Sequence, residues 1–280
     1  MYSVKIVADS SSDMLTFDGV DFASVPLKII TTEREYVDDA ALDVEGMIQD
    51  LSEYKGKSST ACPSPADWLA AFGDAERVFC IAITSSLSGS CNAAEIARQD
   101  YEALHPNRRV VVIDSLSAGP ELRLIAEKIA EMVTAGCEFE EICEKIEEYR
   151  QHTGLVFMLE SLKNLANNGR VSPLVAKAAG LLGLRLVGKA SEQGTLEPLE
   201  KCRGERKALA TIRRILQELG VRGGKIHICH AGNLPAAQAL KSLLEEVWKE
   251  TDIRISECRG LCSFYAEKGG MLIGFEKNCG

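Results

Sequence analysis

The fold of this chain is decided by residues 80–94, which read C-I-A-I-T-S-S-L-S-G-S-C-N-A-A. The stretch begins with a short apolar run, residues 80–83, that predicts a buried strand. It ends in small apolar residues spaced as on one face of a helix, from Cys91 onward. Between the two lies a loop of hydroxyl side chains with one glycine, Gly89. The stretch therefore predicts a strand, a hydroxyl-rich loop and a helix in succession.

Such a loop is suited to binding an anion. The start of a helix presents backbone N–H groups without partners and the positive end of the helix dipole, and the hydroxyls add further donors. A carboxylate or a phosphate could be held there without a cationic side chain. Ser88 could instead serve only as the helix cap, a position that serine favours. The two roles are compatible, so the loop alone leaves both open.

Strands and helices alternate along the first half of the chain. Strand-like runs occupy residues 5–8, 23–30, 78–83 and 109–113, with helical patterns between and after them. This alternation predicts a parallel, doubly wound sheet, in which ligand sites lie at the carboxyl ends of the strands. Three of the strands end in loops that carry Asp and Ser, so these loops are expected to meet at one edge of the sheet.

The second half also alternates strands and helices and predicts a further α/β domain. A strand at residues 154–158 is expected to close the first domain, which sets the domains at 1–158 and 159–280. The almost continuously apolar residues 174–187 predict either the lining of an apolar cavity or part of a core. We therefore predict an α/β protein with an N-terminal doubly wound parallel sheet and a C-terminal mixed sheet with flanking helices.

Composition argues against several classes of partner. The 280 residues carry a net charge of −9, with Lys and Arg scattered and only 6% aromatic residues, so neither a nucleic acid nor an anionic membrane is expected as a partner. No apolar run approaches the roughly 18 residues of a transmembrane helix. The first residues also lack the apolar core of a signal peptide. A cytoplasmic protein without an integral membrane segment is expected.

Enzyme and metal motifs are incomplete. Residues 183–189 approach the phosphate loop G-x-x-x-x-G-K-[ST], but Ala190 stands where its hydroxyl is needed. The serine loop lacks G-x-S-x-G, and His230, which could reach the strand ends, is more often a structural residue in such a position. The ten cysteines show no paired zinc spacing and should be reduced, so no metal site is predicted. Asp9 and Asp114 are expected to stabilise their loops through bonds to the backbone.

Seven segments, in order along nearly the whole chain, resemble the DegV family, the bacterial fatty-acid-binding proteins of two α/β domains. The segments are Val7-Ala-Asp-Ser-Ser11, Ser59-Thr-Ala-Cys-Pro-Ser64, Ser85-Ser-Leu-Ser-Gly-Ser90, Ile113-Asp-Ser115, Leu165-Ala-Asn-Asn-Gly-Arg-Val-Ser172, Lys201-Cys-Arg203 and His230-Ala-Gly-Asn233. Each match is weak by itself, and their shared order and spacing give the resemblance its weight.

The resemblance implies a long-chain fatty acid such as palmitate, held in a tunnel between the domains, and no other cofactor. Its carboxylate would be bound by the hydroxyls of Thr60 and Ser88, near the N–H groups of Ser85 and Ser86 and the loop glycine Gly89. Family members serve as the acyl carrier subunit of a fatty acid kinase and present the carboxylate to a separate ATP-binding protein. On this basis the chain would act in lipid transport and fatty acid metabolism without performing chemistry itself.

Two arginines and one tyrosine complete the site that the resemblance implies. Arg170 and Arg203 are candidates for contact with the head group or with the kinase. Arg203 is assigned to the ligand and Arg170 to the kinase partner, with a surface or interdomain salt bridge as the alternative for both. The family's H-x-G-[PE]-G aligns with residues 265–269, so Tyr265 stands in place of its histidine, and Ala61 replaces the family's serine. A tyrosine hydroxyl can donate a hydrogen bond there, but it carries no positive charge near neutral pH.

Two other functions stay open. An α/β enzyme or phosphotransfer protein would bind a phosphorylated metabolite at the same hydroxyl loop, and in a regulatory module Tyr265 would indicate a diverged ligand. The dependence of affinity on tail length separates the first of these from a fatty acid carrier, because a phosphate binder gains little from added methylenes.

Overall fold

The structure is a computed structural model, and it describes residues 3–172 and 183–277. These residues form a four-stranded parallel sheet, a six-stranded mixed sheet and a small antiparallel sheet of three strands, with helices packed against them. The predicted α/β class, with a parallel sheet followed by a mixed one, is confirmed.

The bounds of the elements are as follows. The strands are β1 Val4–Asp9, β2 Asp21–Val25, β3 Lys28–Ile30, β4 Glu35–Val37, β5 Ser59–Ala61, β6 Arg77–Ala82, β7 Arg109–Asp114, β8 Thr153–Leu159, β9 Leu184–Ala190, β10 Leu196–Arg203, β11 Lys225–His230, β12 Asp252–Glu257 and β13 Met271–Glu276. The helices are α1 Val44–Glu53, α2 Pro65–Phe72, α3 Ser90–Leu104, α4 Pro120–Thr134, α5 Phe139–Gln151, α6 Lys163–Asn167, α7 Glu205–Glu218, α8 Leu234–Glu245 and α9 Gly260–Ala266.

The parallel sheet has the strand order β2-β1-β6-β7 and is covered by helices on both faces. Successive side chains of a strand point to opposite faces, and β6 shows the result. Phe79 and Ile81 join the core on the side of α4 and α5, whereas Val78 and Cys80 join the core on the side of α2 and α3. From Val78 to its end the strand is apolar, because both of its faces are buried there.

The six-stranded sheet has the order β10-β9-β8-β13-β11-β12. The prediction that the strand at residues 154–158 closes the first domain is wrong, because this strand is β8 and pairs with β9 and β13. Its side chains alternate between two apolar layers, with Val156 in the core under α7 and α8 and Phe157 in a second cluster. We therefore propose that the domains divide between α5 and β8, rather than at 158/159.

The small sheet, β4-β3-β5, was not predicted. The run at residues 23–30 was expected to be one strand, but it breaks at Pro26, so that β2 lies in the parallel sheet and β3 in the small one. A proline supplies no N–H to a sheet and restricts the residue before it, which ends the pairing there. Ile29 of β3 then packs in a core with Phe264 of α9.

Helix α4 contacts both large sheets. At its start, a Cβ on Gly274 of β13 would lie 2.7 Å from the carbonyl carbon of Pro120, so the two backbones approach closely. Further along α4, the carboxylate of Glu127 lies 3.2–3.4 Å from nitrogen atoms of basic side chains on β11 and β12. These groups are Lys225, His227 and Arg254. Both contacts are with the six-stranded sheet. Ile125 and Ile129 of the same helix lie in the apolar core of the parallel sheet, so α4 joins the two sheets.

Candidate ligand-binding site

The expected meeting of loops at the carboxyl ends of the strands is confirmed. Asp9, at the end of β1, accepts hydrogen bonds from the backbone N–H of Ile83 at 2.9 Å and from the hydroxyl of Ser90 at 2.7 Å. Asp114, at the end of β7, accepts one from the N–H of Ser85 at 3.1 Å. Both aspartates thus stabilise loops as predicted. They fix the serine loop between β6 and α3 in one conformation.

A pocket lies between these loops, the six-stranded sheet and α9. Its empty space amounts to about 810 Å³ when the solvent at its opening is counted. Much of its wall is aliphatic, with Leu155 and Leu159 from β8, Leu272 from β13 and Leu261 from α9. The polar members of the described wall are Thr84, Ser88, Ser117, Arg170, Thr195 and Tyr265.

Ser88 lies in the pocket wall and is half-buried. Its Oγ accepts a hydrogen bond from the N–H of Ser90 at 3.2 Å, at the start of α3. Since the oxygen acts there as an acceptor, the hydroxyl proton stays available for a second partner. The cap position itself is held by Gly89, so Ser88 supports the helix start and can still donate to a ligand.

Tyr265 and Thr60 form a hydroxyl pair beside the pocket. Tyr265, on α9, lines the pocket, and its hydroxyl lies 2.7 Å from Oγ1 of Thr60 on β5. Burial raises the pKa of the tyrosine, so the hydroxyl keeps its proton at neutral pH. The pair holds one proton in the hydrogen bond between its two oxygens and keeps the other free. It can therefore donate to a carboxylate.

Arg170 lies in the pocket wall, where it supplies a positive charge. Its Nε–H donates to the carbonyl oxygen of Leu87 at 3.2 Å, and a second N–H donates to the carbonyl oxygen of Asn168. Within the described ranges its hydrogen-bond partners are these two carbonyls. A residue predicted at the kinase partner is therefore placed where it can attract an anionic head group.

The other predicted ligand residues lie outside the described part of the pocket wall. Ser85 and Ser86 are exposed on the serine loop, and Gly89 is exposed at the cap of α3. Arg203 ends β10 with its side chain exposed. Their roles at the ligand stay predictions, and the structure brings together Ser88, Thr60, Tyr265 and Arg170.

Thr84 and Thr195 are wall residues that the sequence analysis missed. Thr84 stands at the end of β6 in the quoted loop, so its position at a strand end was a usable signal. Thr195 comes from the turn between β9 and β10, and β10 was not predicted because Pro198 interrupts its pattern. Most of the apolar segment at residues 174–187 lies outside the described residues, and its end forms the start of β9.

His230 has a structural role. It is buried, and its Nδ1 accepts a hydrogen bond from the N–H of Asn233 at 3.3 Å. Burial lowers its pKa, which favours the neutral ring that this bond needs. Within residues 3–172 and 183–277 no group of acidic, His and Cys side chains is placed to hold a metal ion. In the same part of the chain, no helix combines the length and apolar character needed to span a bilayer.

Fold and pocket together define a class of α/β protein in which two sheets and their helices enclose an apolar pocket. A few polar groups of the pocket wall converge on this space. A family model described as "Uncharacterised protein, DegV family" matches residues 3–278. A DegV domain-containing protein of Streptococcus pneumoniae is 42% identical over 276 residues, which cover 97% of this chain and 98% of that protein. This chain belongs to the DegV family.

Two solved structures share nearly the whole fold. A DegV family protein from Eubacterium eligens, loaded with heptadecanoic acid, has a TM-score of 0.97 and 43% identity and covers 98% of this chain and 100% of its own. The Fatty Acid Kinase (Fak) B3 protein of Streptococcus pneumoniae, loaded with linoleic acid, has a TM-score of 0.97 and 42% identity, with coverage of 99% and 100%. Both of these relatives hold fatty acids.

Proposed function

We propose that this protein is a cytoplasmic, non-catalytic carrier of a long-chain fatty acid such as palmitate. The carboxylate is held at Ser88, the Thr60–Tyr265 pair and Arg170, and the acyl chain lies in the aliphatic pocket. The carrier presents the carboxylate to a separate fatty acid kinase that supplies the ATP-binding site. The observation that carries the proposal is the pocket itself, an aliphatic wall with hydroxyl donors and one cation among its polar groups.

The acyl chain supplies the affinity in this proposal. Burial of a methylene is worth roughly 0.8 kcal/mol, so a dozen methylenes offer about 10 kcal/mol before the costs of ordering the ligand. A carboxylate buried without partners would cost several kcal/mol, and hydroxyl and guanidinium donors offset that cost. The polar groups therefore set the orientation of the ligand and offset the cost of burying its carboxylate.

The donor set differs from that of the family in a way that bears on the kinase. Tyr265 offers a neutral hydroxyl where the resemblance implies a histidine, and Arg170 brings the positive charge to the pocket. The Streptococcus pneumoniae relative at 42% identity is named as a component of fatty acid kinase, which supports the same partner for this chain.

A chain-length series tests the proposal. Saturated fatty acids of increasing length are titrated by calorimetry, and we expect affinity to rise by up to about four-fold per methylene until the pocket is filled. The double variant Ser88→Ala with Thr60→Val should weaken binding by about ten-fold or more, because two head-group contacts are lost. Ser52→Ala, which removes a hydroxyl on α1, serves as the control.

Two results would overturn this proposal. Affinity that does not change with chain length would favour a head-group binder, and inorganic phosphate as a competitor would then identify a phosphorylated ligand. Unchanged affinity in the double variant would mean that the carboxylate is held elsewhere.

A further inference from the structure

The turn between β9 and β10, residues 191–195, forms a unit held together by its own hydrogen bonds. The N–H of Ser191 donates to the carbonyl of Thr195 at 2.8 Å, and their hydroxyls also lie 2.8 Å apart. The N–H of Gly194 donates to the carbonyl of Ser191 at 2.9 Å. These bonds hold residues 191–195 in one conformation, so the turn can move as a unit. We refer to residues 191–195 as the strap.

The strap closes one side of the pocket by contact with the serine loop. Gly194 and Thr195 line the pocket on the strap side, and Thr84 lines it on the loop side. The hydroxyl of Thr84 donates to the carbonyl of Gly194 at 2.9 Å, and the hydroxyl of Ser86 donates to the carbonyl of Gln193 at 2.5 Å. These two side-chain bonds latch the strap to the other domain.

Gly194 fits this contact because it has no side chain. Its φ is +73°, and a Cβ there would lie 2.1 Å from Oγ1 of Thr84 and 3.0 Å from Cα of Leu116. Any larger residue would have to push the strap away from the loop. The contact is therefore tight, although it depends on few bonds.

Two other walls in the described part of the pocket, β8 and α9, are anchored more firmly. Strand β8 is paired along both edges, with β9 and β13. Helix α9 is held at its start by the buried carboxylate of Asp38, which accepts the N–H groups of Gly260 and Leu261 at 2.9 Å each. The strap is latched by neutral hydroxyl–carbonyl bonds, each of which shifts an equilibrium by only about two- to twelve-fold. It also sits on the edge strand β10, whose register shift at Pro198 permits bending.

We propose that the strap is a gate: the acyl ligand enters and leaves the pocket when Thr84 and Ser86 release residues 191–195. The inference rests on the proposed function only in taking a fatty acid as the ligand. The latch is intact before and after passage and broken during it. Weakening the latch therefore speeds entry and exit together and leaves the dissociation constant nearly unchanged.

The first test is Ser86→Ala, measured by stopped-flow uptake and displacement of a fluorescent long-chain fatty acid. We expect both the association and the dissociation rate constants to rise by about five-fold, because one neutral hydrogen bond is lost. The control is Ser52→Ala, which removes a bond of the same kind, from the Ser52 hydroxyl to the carbonyl of Gln49 at 2.7 Å, outside the pocket. Unchanged rates, or a rise in the dissociation rate constant alone, would overturn the gate.

The second test uses Gly194→Ala, which breaks the contact sterically. Gly136→Ala is the matched control, because its φ of +80° imposes the same backbone strain while no atom lies within 4 Å of the new Cβ. We expect Gly194→Ala to raise both rate constants beyond Ser86→Ala and to raise amide exchange in residues 191–195, with Gly136→Ala at wild-type values. Wild-type rates in Gly194→Ala would refute the gate. A wild-type protein that takes up no fatty acid would instead contradict the proposed function, and amide exchange in Ser86→Ala would still test the latch.

Discussion

The carboxyl group of Asp13 should make this protein less stable as the pH rises toward neutrality. Asp13 follows the short turn after β1, and its Oδ1 accepts the N–H of Arg259 at 2.7 Å, just before α9. Burial raises the pKa of Asp13 from its ordinary value of 3.8 to about 7, and the nearby Asp38 adds to the rise. Hydrogen bonding to the Arg259 N–H opposes it without cancelling it.

The sign and the size follow from the two pKa values. Between pH 3.8 and about 7 the folded protein keeps a proton that the unfolded chain has released. The free energy of unfolding therefore falls as pH rises, by about 1.4 kcal/mol per pH unit, and levels off above the folded pKa. Over this interval the loss amounts to about 4 kcal/mol.

Urea unfolding of the wild type and of Asp13→Asn, at intervals from pH 4 to pH 8, isolates this contribution. The stability of Asp13→Asn relative to wild type should rise by about 4 kcal/mol across the range, because the amide does not titrate. Asp74→Asn is the control, since the Asp74 side chain is fully exposed, and its difference from wild type should stay flat. A change of less than about 1 kcal/mol for Asp13→Asn would refute the reasoning.

Two further predictions concern the contact of α4 with the six-stranded sheet. Burial favours the neutral form of Glu127, but its hydrogen bond with His227 and the charges of Lys225 and Arg254 lower its pKa to about 2. Glu127→Gln should therefore cost about 2 kcal/mol of unfolding free energy, measured in urea above pH 5, and the cost should shrink as the pH falls from 4.5 toward 2. Glu131→Gln, on the same helix but half-exposed, should cost under about 0.5 kcal/mol, and equal costs would contradict the role of the buried cluster. Gly274→Ala should lower the thermal midpoint and cost about 2–3 kcal/mol, because its Cβ would meet backbone atoms of α4 that cannot move independently. Gly136→Ala is the control and should cost about 1 kcal/mol from backbone strain alone. If Gly274→Ala costs less than this control, the backbones of α4 and β13 can separate.

The parts of the site that follow one another in the chain could be predicted from the sequence. Residues 80–94 show their strand, loop and helix as a local pattern, and the geometry of parallel sheets places the loop at a strand end. That rule brought Asp9, Asp114 and the serine loop to one edge, as the hydrogen bonds of Asp9 with Ile83 and Ser90 show. Thr60 and Tyr265, 205 residues apart, came from the family resemblance, and they lie within hydrogen-bond distance of each other.

The parts that depend on long-range pairing could not be predicted in this way. An apolar run such as β8 shows that a strand is buried, but not which sheet contains it. The three-residue strands β4 and β5 are too short to show a periodicity, and β10 carries Pro198 and several charges that suit an edge strand and hide it from pattern analysis. Arg170 was placed at a partner because its motif records a residue type, whereas the direction of its side chain depends on the carbonyl of Leu87.

The position of β13 has a consequence for how the protein is made. Among the described strands it is the last in the chain, yet it lies inside the six-stranded sheet and pairs with both β8 and β11. Without it the sheet separates into one part of three strands and another of two. During synthesis these parts stay unconnected until residues 271–276 leave the ribosome, and Leu272 is missing from the pocket wall until then. The pocket wall therefore cannot be complete before residues 271–276 have been made and have joined the two parts of the sheet.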